Sequence, residues 1–116
     1  MNVRGRRSQC LVTITAKRMT ESGGETSVRA HIVVRGRVQG VGYRAFSVRV
    51  GARHGLLGGV RNLDDGRVEL DVEGARPAIE ALLRELKIGP PGAHVTGVEA
   101  EWKPATGRFS GFTIWY

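Results

Sequence analysis

The stretch Leu56–Gly74, LLGGVRNLDDGRVELDVEG, has a turn signal at its centre and a period of two beyond it. Asp64, Asp65 and Gly66 separate two β-prone runs, and an Asp-Gly pair so placed favours a tight turn that folds the second run back on the first. Along the second run Val68, Leu70 and Val72 alternate with Glu69, Asp71 and Glu73. Successive strand side chains point to opposite faces, so this run buries one face and leaves the other wet. An antiparallel hairpin in mid-chain excludes an all-parallel sheet.

Working outward, AHIVVRGRV (Ala30–Val38) is a short β-branched strand that runs directly into glycines. Tyr43–His54 follows with Ala45, Val48, Ala52 and Phe46, Val50 at helical spacing, and Gly55 supplies a left-handed stop. On the other side of the hairpin, Arg76–Lys87 opens with Pro77 and sets Ile79, Leu82, Leu83 and Leu86 on one face before Gly89-Pro90-Pro91-Gly92 ends it. HVTGVEAEW and RFSGFTIWY, separated by Lys103–Gly107, complete the chain as two more strands. The order βαββαββ with one-sided helix cover predicts an α+β ferredoxin-like sandwich: an antiparallel (mixed) five-stranded sheet with two helices on one face.

With 116 residues, 41% hydrophobic and 25% charged, the composition is that of one globular domain. No apolar run approaches the roughly 20 residues that span a bilayer, so no membrane association is expected. A lone Cys10 cannot form an internal disulfide, which makes the cytoplasm the expected compartment. The net charge of +7 is uneven: six basic and two acidic side chains fall in residues 1–29, twelve and nine in residues 30–116. Residues 1–29 are read as a basic appendage, with Arg4, Arg6 and Arg7, a β-prone run from Cys10 to Ala16 and a Ser/Gly/Thr-rich linker at Ser22–Ser27. They are expected to be a disordered tail or an upstream start with Met19 as the true beginning, rather than an arm for an acidic partner or a targeting segment. Residues 30–116 form the domain.

Between the first strand and first helix lies GRVQGVGYR, Gly36–Arg44, three glycines within seven residues followed by an arginine. Amides at a helix N-terminus are unpaired and carry partial positive charge, and glycines let successive amides converge on one oxyanion. Arg44 can bring a planar guanidinium to the same anion. The loop is thus built for a phosphate, although a tight strand-to-helix turn beside an exposed arginine would need no more than these residues. Gly40-x-Gly42-x-x-Ala45, with Asp64 further on, also satisfies a dinucleotide fingerprint, but that fingerprint works in a parallel βαβ unit. The Walker pattern fails for want of its lysine.

Gly36–Arg44 resembles the first signature of the acylphosphatase family, and Gly58–Val68, GGVRNLDDGRV, running on to Gly74, resembles its second. Asn62 follows Arg44 by eighteen residues, the separation of that family's catalytic pair, and Gly111-Phe112-x-Ile114 resembles its last strand. The resemblance covers Ala30 to Tyr116. It implies the same sandwich and the metal-independent hydrolysis of a carboxyl-phosphate anhydride to carboxylate and inorganic phosphate, with no cofactor. It implies Arg44 as phosphate ligand, the loop Gln39, Gly40, Val41, Gly42 and Tyr43 as the phosphate cradle, and Asn62 as the group that orients the attacking water. The partners expected are a small-molecule acyl phosphate as substrate and inorganic phosphate as product, bound by a monomer without nucleic acid or membrane. Two positions depart from the family pattern. Gly59 stands where an aromatic is usual, which puts local packing in doubt, and Tyr43 replaces a phenylalanine, adding a hydroxyl that needs a partner.

Two alternatives stay open. One is a ferredoxin-like RNA-binding module, although the aromatic base-stacking motif K/R-G-F/Y-G/A-F-V is missing. The other is the front domain of a hydrogenase-maturation carbamoyl transferase, which carries cysteine-rich zinc segments afterwards; no such segments are expected in a chain that stops at Tyr116. His31, His54 and His94 have no metal-ligand spacing and read as surface or edge residues. Asp64, Asp65, Glu69, Asp71 and Glu73 read as a solvated turn and sheet face rather than a carboxylate dyad.

Overall fold

The computed structural model describes residues 27–116. Arg4, Arg6, Arg7, Cys10, Met19 and the rest of the expected appendage up to residue 26 lie outside the described residues. The elements are β1 (Ser27–Arg37), α1 (Tyr43–Arg53), β2 (Leu57–Asn62), β3 (Val68–Ala75), α2 (Arg76–Ile88), β4 (His94–Pro104) and β5 (Phe112–Ile114). The order is the βαββαββ read from the sequence, with β1 starting three residues ahead of the boundary drawn at Ala30.

The five strands lie in the order β4-β1-β3-β2-β5. The β2–β3 hairpin pairs antiparallel as its Asp-Gly turn dictates, with Val60 opposite Leu70 and Asn62 opposite Val68. β1 is antiparallel to both β3 and β4, and β5 alone runs parallel, alongside β2. Ala30, Ile32 and Val34 of β1, Val60 of β2 and Val68, Leu70 and Val72 of β3 are fully buried beneath the helices. Each such Val, Leu or Ile side chain contributes about 1.5–3 kcal/mol by leaving water, an upper-end figure for a compact unfolded chain. The opposite face carries the alternate residues, joined by contacts such as the Arg29–Asp71 ion pair at 3.2 Å and the His31–Glu69 hydrogen bond at 2.7 Å.

The helices show where local patterning ran out. α2 buries Ile79, Leu82 and Leu86 as expected. α1 buries Val50 as expected but also Tyr43, Ser47 and Gly51, while Ala45 and Ala52 are exposed. Ser47 is buried without penalty because its hydroxyl donates to the Tyr43 carbonyl at 2.8 Å. Gly51 is buried because the Phe112 ring of β5 lies where a side chain would begin, 2.7 Å from an added Cβ. The expected strand over Arg108–Tyr116 is also reduced, to the three residues of β5.

Glu73 departs from the solvated face expected of it. It is 3% exposed and holds the segment between β4 and β5 through bonds from the Thr106 amide (2.7 Å), the Thr106 hydroxyl (2.6 Å) and the Gly107 amide (3.0 Å). Burial disfavours its ionised form, but these donors outweigh burial and hold the carboxyl below the usual glutamate range.

Candidate active site

β1 does not run straight into α1. Its register against β4 shifts between Arg35 and Gly36, and an added Cβ on Gly36 would lie 2.1 Å from the His94 carbonyl oxygen. Only glycine allows that approach, and the bulge turns the chain into the loop. Gly40 and Gly42 then adopt left-handed backbone, each with φ of 77°, and space at both is open.

Gly42 is the N-cap of α1. It offers no capping side chain, and no acid stands in the first turn. The first helical bond runs from the Phe46 amide to the Gly42 carbonyl at 3.0 Å, so the amides ahead of it have no acceptor within the helix. A serine or aspartate cap would occupy those donors. Its absence leaves partial positive charge and free N–H groups facing outward, the electrostatics an anion requires.

Gln39, Gly40, Gly42, Tyr43 and Arg44 share one cavity with Asn62, about 160 Å³ in volume, and Ile114 of β5 forms part of its wall. That is well above the roughly 10–15 Å³ that a single water needs. Arg44 forms no ion pair with a carboxylate among the described residues, and its guanidinium carbon lies 5.7 Å from the Tyr116 ring centre. Asn62 ends β2, and its Oδ1 is buried with no hydrogen-bond partner. A buried acceptor without a donor costs on the order of 1–3 kcal/mol, so Asn62 Oδ1 is a polar group the fold leaves unsatisfied beside the cavity.

The loop residues divide their tasks. Val41 is not part of the cavity wall; its side chain packs against the hydrophobic core. Tyr43 lines the cavity but is 1% exposed, and its hydroxyl donates to the Leu86 carbonyl at 2.6 Å. That burial pushes its phenol ionisation well above the usual tyrosine range. Gln39 reaches across to the hairpin, donating from Nε2 to the carbonyls of Leu63 at 2.8 Å and Arg67 at 3.0 Å. The sequence offered no local signal for that reach. At Gly59, the Trp115 indole lies over the bare backbone, where a Cβ would stand, so the aromatic absent from position 59 is replaced by one just beyond β5.

The model of the acylphosphatase family matches residues 30–114, the span that contains both helices and all of the sheet apart from the first three residues of β1. The chain belongs to the acylphosphatase family. It is 54% identical over 87 residues to an acylphosphatase of Anaeromyxobacter dehalogenans, covering 75% of this chain and 94% of that one. An acylphosphatase of Methylococcus capsulatus is 49% identical over 86 residues, with coverage of 74% and 94%. Among solved structures, the acylphosphatase of Bacillus subtilis superposes with a TM-score of 0.75 at 36% identity, covering 77% of this chain and 99% of that one.

Proposed function

We propose that this acylphosphatase-family chain hydrolyses small acyl phosphates, with Arg44 and the amides of the Gln39–Tyr43 loop gripping the phosphoryl group and Asn62 aiming the water. One observation carries the assignment of roles. Arg44, the uncapped loop and Asn62 line a single cavity, and the Asn62 Oδ1 is buried without a donor.

The chemistry follows from what those groups can and cannot do. In phosphoryl transfer the transition state spreads negative charge over the equatorial oxygens, so fixed donors aimed there do most of the catalysis. Arg44 and the amides are such donors. Asn62 has no titratable proton, so it orients the water by hydrogen bonding through its carboxamide rather than by removing a proton. The water oxygen bonds to phosphorus as the phosphorus–carboxylate bond breaks. The carboxylate leaves with the bonding pair, and the water's proton passes to a phosphoryl oxygen of the substrate. No step needs a metal or cofactor. On this reading residues 30–116, with Ser27–Arg29 of β1, are the catalytic unit, the residues before them are an appendage to it, and the chain works as a cytoplasmic monomer.

The open sheet face argues against an RNA module. On central strands β1 and β3 it presents Arg29, His31, Glu69 and Asp71 paired with one another, where base stacking would require aromatic rings. The test is phosphate release from an aromatic acyl phosphate by wild type, Arg44→Ala and Asn62→Ala, with circular dichroism to verify folding. Arg44→Ala should lose at least about 10²-fold in rate, the usual cost of one such electrostatic contact, and Asn62→Ala should lose turnover. Competitive inhibition by inorganic phosphate should accompany wild-type activity. Salt-sensitive RNA binding without phosphate release would reject the reading.

A further inference from the structure

We propose that Gln39 is a positioning residue, whose carboxamide locks the hairpin bearing Asn62 to the anion cradle. The inference rests on the acylphosphatase reading of the site. Arg44 and Asn62 stand on different elements, the start of α1 and the end of β2. In-line attack needs the water held by one to meet the phosphorus held by the other, and a misplacement of about 1 Å can cost 10²-fold in rate. Something must fix the gap between the two elements.

Gln39 has the chemistry for that task. A primary amide nitrogen has two hydrogens, and Gln39 Nε2 spends them on two carbonyls of the same hairpin, Leu63 at 2.8 Å and Arg67 at 3.0 Å. Those carbonyls form the hairpin's neck, since the Leu63 amide donates to Arg67 O at 2.8 Å and the Gly66 amide to Leu63 O at 3.2 Å. Leu63 directly follows Asn62, and Gln39 directly precedes Gly40 of the cradle. Among the described residues these two bonds are the hydrogen bonds that join the cradle loop to the hairpin. The partners lie 24 and 28 residues away in the chain, so the clamp is tertiary. Glutamate would be nearly isosteric, yet ionised it would present oxygen to oxygen at both contacts.

The experiment is a double-mutant cycle. Wild type, Gln39→Met, Asn62→Ala and the double variant are compared for kcat on an aromatic acyl phosphate and for Ki of inorganic phosphate, with thermal melts on each. Gln39→Met should lower kcat by about 10- to 10²-fold while Ki stays within about twofold, because the cradle itself is intact. In the Asn62→Ala background the same change should cost almost nothing further, as expected of a group that acts through Asn62. A loss equally large in both backgrounds, a rise in Ki with kcat intact, or no change in either constant overturns the proposal. Gln39→Asn, one methylene too short to reach, gives the same readout should Gln39→Met fail to fold. Absence of wild-type turnover would instead overturn the acylphosphatase reading and this inference together, whereas turnover indifferent to Gln39 removes this inference alone.

Discussion

The Tyr43 hydroxyl caps the Leu86 carbonyl at 2.6 Å, joining the first turn of α1 to the last turn of α2. In an uninterrupted helix that carbonyl would accept from the amide four residues on, but that residue is Pro90, which has none. The hydroxyl that sets this chain apart from the family's usual phenylalanine therefore satisfies a group that Pro90 orphans. Tyr43→Phe should destabilise the fold by about 1–3 kcal/mol, the range for a buried polar group left unpaired. Activity on an acyl phosphate should persist, because the cradle uses the backbone at this position; a denaturant titration beside a rate assay checks both.

The Gly59–Trp115 contact makes a reciprocal prediction. Gly59→Phe would restore the family's aromatic but drive it into the indole, and overpacking of this kind costs about 1–3 kcal/mol. Trp115→Ala alone leaves bare backbone on that face and should also destabilise. Combining the two should recover most of the loss, since the rings compete for one place. Additive losses, measured by chemical denaturation, would show that they do not.

Arg44→Lys should fold normally and bind phosphate poorly. Lysine keeps the charge but offers a point ammonium where the guanidinium offers a planar fork. The expected result is a raised KM and a raised Ki for inorganic phosphate, with part of kcat retained, set against the deeper loss in Arg44→Ala.

Acid should unlock Glu73. Its carboxyl lies below the ordinary 4.5 in the folded protein, opposed by burial and held down by Thr106 and Gly107. A depressed folded value means the unfolded chain takes up the proton first, so this contribution to stability is fully present above about 4.5 and is lost as pH falls through the folded value. Glu73→Gln should remove that part of the acid dependence and lower stability at neutral pH. Melting temperatures between pH 3 and 7 for both proteins, read on an approximate scale of linkage per proton, decide it.

How much of this was legible follows the range of each interaction. The hairpin at Asp65–Gly66, the alternation of β3 and the stripe of α2 are local, and the sequence displays them. α1 misled because Ser47 is made burial-tolerant by the Tyr43 carbonyl and Gly51 by Phe112, 61 positions away from it. The glycine spacing and Arg44 announced an anion site, but Asn62 had no signal of its own apart from the family resemblance; an asparagine beside an Asp-Gly turn is ordinary. Gln39's clamp and Glu73's hold on Thr106 join residues more than twenty positions apart, and no window along the chain contains both ends.

The bulge at Gly36 has a consequence for assembly. The bend that aims the loop is formed against His94 and Thr96 of β4, and β1 itself lies between β3 and β4, both synthesised later. An emerging chain that already holds Arg44 and Asn62 thus lacks the strand that shapes their cradle. Phosphate affinity should arise late on the folding route, after the slow closure of distant strand pairs, and not with the first helix.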